Sequence, residues 1–272
     1  MKTEKIYQGN CIEVLKDFSD ESIDCVVTSP PYWGLRDYNK EEQLGLEKTP
    51  EEFVANLVKV FSEVKRVLKS SGSVWLNLGD TYYNKSLAGI PWRVAFALQS
   101  DGWYLRQDII WNKPNPMPES VQDRCTKSHE YIFLLTKSPK YFYDIDAMRE
   151  KGTIPKGTLA AKGSEGRFLK EKVNSRPPEY KEYDGMRNKR SVWKITTKPY
   201  KEAHFATFPM ELPITCIKAG CPEGGIVLDP FFGSGTTGLA AQELHRHWVG
   251  IELNPEYIEI ANRRTSQSNL FV

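Results

Sequence analysis

The chain has 272 residues, 40% hydrophobic and 26% charged, with a net charge of +2, so it is not strongly basic as a whole. That is the composition of a soluble globular protein, long enough for one large α/β domain or one domain with an insert. No apolar run approaches the ~20 residues of a membrane helix. The first residues, MKTEKIYQGN, carry no apolar signal-peptide core. The five cysteines (Cys11, Cys25, Cys125, Cys216 and Cys221) are scattered and odd in number. They read as reduced thiols of a cytoplasmic protein rather than a disulfide frame.

In chain order, Ile23–Val27 is a short β-branched run and predicts a strand. Thr49-Pro50-Glu51-Glu52 predicts a helix start, with Thr49 as cap and Pro50 as first helical residue. Phe53, Leu57, Val60, Phe61, Val64 and Leu68 then repeat on one apolar face, and Ser71-Gly72 ends the helix. Strands are expected at 73–78, 104–111, 131–136, 226–228 and 248–251, and helices at 91–100, 236–245 and 255–264. Strands alternating with helices imply an α/β fold with a doubly wound, mostly parallel sheet.

Residues 151–194 break this rhythm with scattered glycines and prolines, and carry twelve basic against five acidic side chains. That excess of +7 leaves about −5 on the rest of the chain, an asymmetry that suggests an acidic partner for this segment. Tyr180, Tyr183, Arg187 and Arg190 interleave within it and favour nucleic acid over a merely solvated loop. The expected organisation is therefore 1–150, an insert at 151–194, and 195–272 completing the first part.

Two stretches carry the chemistry. In "IDCVVTSPPYWGLRDY" the predicted strand runs into Ser29, Pro30, Pro31 and Tyr32. Two prolines fix two φ angles, remove two amide donors and hold the preceding backbone extended. In "GGIVLDPFFGSGTTGLAA" Asp229 ends a strand, and a small-residue turn through Gly233, Ser234 and Gly235 opens a helix. Glycines there let backbone approach a ligand, and a helix start offers free amides. Glu252 ends the next strand, placed for a ribose diol as in nucleotide-binding sheets. Phe231 and Phe232 offer apolar surface for a planar base. The alternative is a tight turn with a helix-capping acid. The third glycine of the dinucleotide motif is missing, which disfavours a nicotinamide dehydrogenase.

Together "DPFFGSGTT" and "TSPPY" resemble the amino-group DNA methyltransferases that use S-adenosylmethionine. "FSEVKRVLKSSGSVWLNLGD", "WNKPNPMPES" and "HFATFPMELP" are similar to further segments of that family. The order of catalytic loop, basic insert and cofactor loop resembles the circularly permuted β class. The resemblance implies a Rossmann-like class I methyltransferase fold whose insert recognises the target sequence in double-stranded DNA. It assigns Asp229, Phe231, Gly233, Ser234, Gly235 and Thr236 to the cofactor loop and Glu252 to the ribose. Phe205, Thr207, Phe208 and Pro209 match the segment closing over the methionine end. Ser29, Pro30, Pro31 and Tyr32 match the catalytic tetrad. A serine at its first position is more typical of enzymes that methylate cytosine N4, whereas most adenine N6 enzymes have aspartate. Asparagine there would resemble the protein-glutamine enzymes.

On this reading the Ser29 hydroxyl and Pro30 carbonyl hold the amine hydrogens, and Tyr32 stacks on the flipped base. A carbon-5 mechanism needs a nucleophilic cysteine, and neither Cys11 nor Cys25 lies in a proline-cysteine turn. Asn10 reaches the cofactor's adenine edge or caps a turn. Arg36, Arg176, Arg187 and Arg190 are the candidate DNA contacts. Trp33 assists the base or lies in the core. Cys216, Cys221 and His204 lack a second ligand pair, so no metal is expected. A cognate restriction endonuclease and a monomer or homodimer fit the resemblance. The alternatives are adenine N6 chemistry on the same fold, an RNA or protein amine substrate, and a non-catalytic DNA-binding module. The last gives no reason for acid, glycine turn and tetrad to occur together.

Overall fold

The computed structural model describes residues 1–35, 37, 43–153, 156–157, 159–161, 180–197 and 208–268. In chain order its elements are β1 (Lys5–Gln8), α1 (Cys11–Lys16), β2 (Ile23–Thr28), α2 (Pro50–Val67), β3 (Leu68–Leu78), β4 (Tyr82–Tyr83), β5 (Ser86–Leu87), α3 (Ile90–Ser100), β6 (Tyr104–Asn112), β7 (His129–Thr136), β8 (Arg149–Lys151), β9 (Leu159–Ala161), β10 (Tyr180–Glu182), β11 (Met186–Asn188), β12 (Val192–Lys194), α4 (Glu211–Gly220), β13 (Ile226–Asp229), α5 (Thr236–Glu243), β14 (His247–Glu252) and α6 (Pro255–Ser268). The chain divides into two compact units, one of residues 1–144 and 191–272, the other of residues 145–190.

The larger unit is built on one sheet with strand order β1-β14-β13-β2-β3-β7-β6-β12. Strands β1, β14, β13, β2 and β3 run parallel, and β7 is antiparallel to both β3 and β6. From β2 the chain moves outward to β3, and from β13 it moves the other way to β14. The order therefore reverses between β13 and β2, which pair directly. In an open α/β sheet the crevice beyond the carboxyl ends at such a reversal is where ligands bind. The doubly wound sheet expected from the sequence is the one observed.

Helix α2 starts as its sequence implies. The Thr49 hydroxyl accepts from the Glu52 amide at 3.2 Å, and Pro50 opens the first turn. The helix stops at Val67, four residues before Ser71-Gly72, because Leu68 is already extended and paired with Ile23. Phe53, Leu57, Val60, Phe61 and Val64 pack with Val94 and Leu98 of α3 and with Leu76 and Leu78 of β3. On the opposite face α4 lies on β2 and β3, and α5 on β13 and β14.

The smaller unit contains two antiparallel ladders, β8 with β11 and β9 with β10. Its bounds differ from the expected 151–194. Val192–Lys194 pair parallel with Ile110–Asn112 and so belong to the large sheet, and residues 145–150 join the insert. No helix among the described residues is long and apolar enough to cross a membrane.

Candidate active site

Asp229 ends β13 and Thr28 ends β2, its neighbour across the reversal. The Thr28 hydroxyl donates to Asp229 Oδ1 at 2.6 Å, and the Phe231 amide donates to the same oxygen at 3.0 Å. Thr237 Oγ1, in the first turn of α5, donates to Oδ2 at 2.7 Å. One carboxylate thus ties the residue before Ser29 to both ends of the glycine turn. Asp229 is buried, and burial pushes its carboxyl up to about 6 despite the three donors.

Gly235 sits at φ 83°, where a side chain is disfavoured, and the chain turns there into α5. Glu252 ends β14. Its Oε2 accepts from the Gly233 amide at 2.7 Å and its Oε1 from the Asn254 amide at 2.8 Å. Burial raises this carboxyl above its ordinary range as well. Arg264 on α6, which sequence reasoning missed, donates to the Ser234 carbonyl and hydroxyl, each at 2.6 Å, and to Thr236 Oγ1 at 3.3 Å. It lies 30 residues from Ser234 in a polar helix, so its sequence carries no local signal.

Several expectations change. Phe231 is half-buried beside the turn, but Phe232 is buried, stacked on Trp248 at 5.1 Å and lying over Gly250. It offers no surface to a base. Asn10 caps α1, its Oδ1 accepting from the Ile12 amide at 3.0 Å, while the preceding Gly9 amide bonds the Glu252 carbonyl at 3.1 Å. Phe208 and Pro209 precede α4, and the Pro209 carbonyl accepts from the Leu212 amide. Phe205, Thr207, Arg36, Arg176 and His204 lie outside the described residues.

The tetrad leaves β2 at the same edge. Ser29, Pro31 and Tyr32 are half-buried and Pro30 is buried. The Tyr32 ring packs against Gly79, where an added Cβ would come within 2.5 Å of it, so glycine leaves the ring its room. Trp33 is a core residue, its Nε1 donating to the Glu47 carbonyl at 2.9 Å.

An unforeseen cluster lies beneath the tetrad. Because β7 is antiparallel to its neighbours, its amino end, with Glu130, meets the carboxyl ends of β2 and β3. Tyr32 Oη donates to Glu130 Oε2 at 2.7 Å, and Asn77 Nδ2 donates to the same oxygen at 2.8 Å and to Tyr32 Oη at 3.1 Å. The Lys113 ammonium pairs with Glu130 Oε1. Ser29 Oγ donates to Tyr32 Oη at 3.3 Å. An ionised carboxylate only accepts, so it fixes the sense of the chain. Tyr32 gives its one proton to Glu130, Ser29 gives its proton to Tyr32, and the Ser29 lone pairs are left to accept.

Neither the thiol of the tetrad strand nor that of α1 is set up as a nucleophile. Cys25 is fully buried with its ionisation pushed up, and burial pushes Cys11 up to about 12.

In the smaller unit, Arg187 Nε and Arg190 Nε both donate to Glu150 Oε1, at 2.9 and 2.7 Å. Asp184 pairs with Arg149.

A family model described as DNA methylase matches residues 23–263. The chain is 46% identical to the type II methyltransferase M.Cfr9I of Citrobacter freundii, over 95% of this chain and 86% of that one. It is 45% identical to M.SmaI of Serratia marcescens, over 96% and 90%. Among solved structures, a DNA modification methylase of Thermus thermophilus complexed with S-adenosyl-L-methionine superposes with a TM-score of 0.64 at 27% identity, covering 96% of this chain and 94% of that one. The cytosine-N4-specific PvuII DNA methyltransferase superposes at 0.71 over 98% and 91%, and at 21% identity it speaks for the fold alone. A sheet reversal that binds an acid-anchored glycine turn to a Ser-Pro-Pro-Tyr loop, and a family match spanning both motifs, make this chain a member of the DNA methylase family.

Proposed function

We propose that the protein transfers a methyl group from S-adenosyl-L-methionine to the exocyclic N4 amine of a cytosine flipped out of double-stranded DNA. The observation that carries this reading is the Thr28–Asp229 hydrogen bond of 2.6 Å, which holds the tetrad beside the glycine turn. The cofactor fits the residues present. Glu252 offers a carboxylate at the end of the strand after the turn, and its unused lone pairs suit two ribose hydroxyls. Bound there, S-adenosyl-L-methionine supplies an electrophilic methyl on a sulfonium sulfur.

The protein's own work is to make a poor nucleophile competent. The cytosine amine has its lone pair delocalised into the ring. Acceptors that hold its two hydrogens out of the ring plane free that pair for attack. Ser29 Oγ, its proton committed to Tyr32, is one such acceptor. The Pro30 carbonyl, at a position the prolines keep rigid, is the other. Tyr32 presents its ring to the base while its hydroxyl is held by Glu130 and Asn77. Holding both partners in one crevice replaces a bimolecular encounter by a positioned step.

The unit at residues 145–190 recognises the target sequence, the basic excess of its neighbourhood serving the phosphates. The cellular setting is a cytoplasmic restriction–modification pair, in which a cognate endonuclease cuts the same unmethylated site. The relatives named as type II methyltransferases support it. Expression in a methylation-free host, with mass spectrometry of the DNA nucleosides and sequencing of modified positions, tests the reaction, the target base and its sequence specificity. N4-methylcytosine at one short sequence is the expected result. N6-methyladenine would move the target to adenine, and unmodified DNA would remove the assignment.

A further inference from the structure

Between the catalytic edge and α3 the chain makes a small hairpin that the chemistry above does not use. Tyr82 pairs with Leu87 and Tyr83 with Ser86 across a two-residue turn of Asn84 and Lys85. Both turn residues have positive φ, 50° and 63°, as the tight hairpin turn that matches strand twist requires. Asn84 adopts this conformation readily, whereas Lys85 is held in it against a local preference. The base is clamped firmly. Asp80 Oδ1 accepts from the amides of Thr81 and Ile90 and Oδ2 from Gly89, the Ala88 amide bonds the Thr81 carbonyl, and Lys127 Nζ donates to the Asp80 carbonyl at 2.7 Å. Such a rigid support holds large side chains in water behind a polar turn: Tyr83 is 57% exposed and Leu87 52%.

This tip touches the catalytic loop. The Tyr83 ring lies 5.6 Å from that of Trp33, one residue beyond the tetrad. Tyr82, Tyr83, Leu35 and Leu46 line one open groove of about 460 Å³, which Asp37, Glu47 and Lys48 also line. Arg124, whose Nη1 pairs with Glu119 at 2.6 Å, sits 4.0 Å over the Tyr82 ring, and Lys85 stands at the turn. Aromatic rings interleaved with cations suit a polyanion whose bases stack. Whatever base reaches Ser29 and Tyr32 must come from a duplex lying across this edge, so the hairpin meets that duplex beside the vacated position.

We propose that the Tyr82–Leu87 hairpin enters the duplex next to the target base and stabilises its flipped state. Tyr82, Tyr83 and Leu87 replace stacking lost when the base leaves, and Arg124 and Lys85 face the flanking phosphates. The proposal rests on the DNA-methylating reading above but not on which amino base is methylated.

The test compares wild type with Y82A/Y83A and L87A on a duplex carrying the sequence that the enzyme methylates in its expression host. A second duplex is identical but lacks the base opposite the target, so that flipping no longer breaks a pair. Transfer of a labelled methyl group reads both, whichever base accepts it. The variants are expected to lose roughly 10- to 100-fold in single-turnover rate on the paired duplex, the size a flipping cost of a few kcal/mol implies. Most of that loss should disappear on the duplex with the missing base, and cofactor affinity should stay unchanged. An equal loss on both duplexes, or no loss on either, would overturn the role. So would a shift of the variants from dimer to monomer in sedimentation with undiminished transfer, which would assign the patch to a second copy of the chain.

Discussion

The Tyr32 hydroxyl donates to the Glu130 carboxylate at 2.7 Å, although the two residues are 98 positions apart. That bond sets the direction of every proton in the cluster beneath the tetrad. Replacing Glu130 by glutamine keeps the shape but adds a donor, so Tyr32 and Ser29 can reverse and the Ser29 oxygen loses its fixed role as acceptor. E130Q should lower the single-turnover rate by about 10- to 100-fold, the usual effect of an outer partner that orients a reacting group. Affinity for S-adenosyl-L-methionine should stay near wild type, since Glu130 makes no contact with the glycine turn. A loss confined to cofactor affinity, with an unchanged rate at saturation, would sink this role. Y32F, which removes the hydroxyl and keeps the ring, should show a similar rate defect.

Asp229 should leave a signature in the pH dependence of stability. Its folded-state value of about 6 lies above the ordinary 3.8, so the native state holds a proton that the unfolded chain has released. Stability from this group is therefore full below about pH 4 and lost as pH rises towards and through 6. In the difference between wild type and D229N, other titrating groups largely cancel. The stability of wild type relative to D229N should fall by about 2–3 kcal/mol between pH 4 and pH 7, at about 1.4 kcal/mol per pKa unit. Urea unfolding at both pH values reads this difference, and a flat difference would mean that Asp229 is not strained by burial.

Glu252 ends β14 with one oxygen accepting from the Gly233 amide of the glycine turn and the other from the Asn254 amide just beyond the strand. E252A should weaken S-adenosyl-L-methionine by about 1–3 kcal/mol, the range for losing a charged hydrogen-bond partner. Titration calorimetry with the cofactor alone measures it. Because the variant also releases the Gly233 amide, E252Q is the sharper control. It retains an acceptor and should fall between wild type and E252A, whereas equal affinity in all three would place the ribose elsewhere.

The two motifs were legible in the sequence because each is local. Ser29–Tyr32 and Asp229–Gly235 are contiguous, each follows a β-branched strand, and a parallel sheet puts both at its carboxyl edge. What joins them was not legible. The Thr28–Asp229 bond spans 201 positions and depends on β13 settling beside β2. Glu130 reaches the tetrad only because β7 reverses direction, which no local pattern announces, and it meets Lys113 there just beyond the carboxyl end of β6. The Phe231–Phe232 pair looked equivalent, yet the burial of Phe232 follows from Trp248 and Gly250 on the adjacent strand. The hairpin at Tyr82–Leu87 lacks the usual glycine in its turn. The insert's end was misplaced because Val192–Lys194 is a three-residue strand whose identity comes from pairing with β6.

In the smaller unit Arg187 and Arg190 share Glu150 Oε1, so a single carboxylate orients both guanidinium groups. Arginine bidentate to guanine is the commonest base-reading contact, and its planar fork needs such an anchor to hold one orientation. If the unit at 145–190 reads the DNA site, R187A or R190A should cost about 1–3 kcal/mol and relax the choice at one base pair. E150A should blur the same positions by freeing both side chains, while leaving cofactor affinity and the rate on the preferred duplex less affected. Lysine substitutions such as K189A should instead weaken all sequences alike and flatten the salt dependence by about 0.9 in log–log slope for each phosphate lost. Methylation mapped across the host genome separates these outcomes. Arginine variants that retain activity and mark an unchanged sequence would move target recognition out of this pair, and exchange of residues 145–190 for those of a relative with another site would then decide whether it lies in the insert at all.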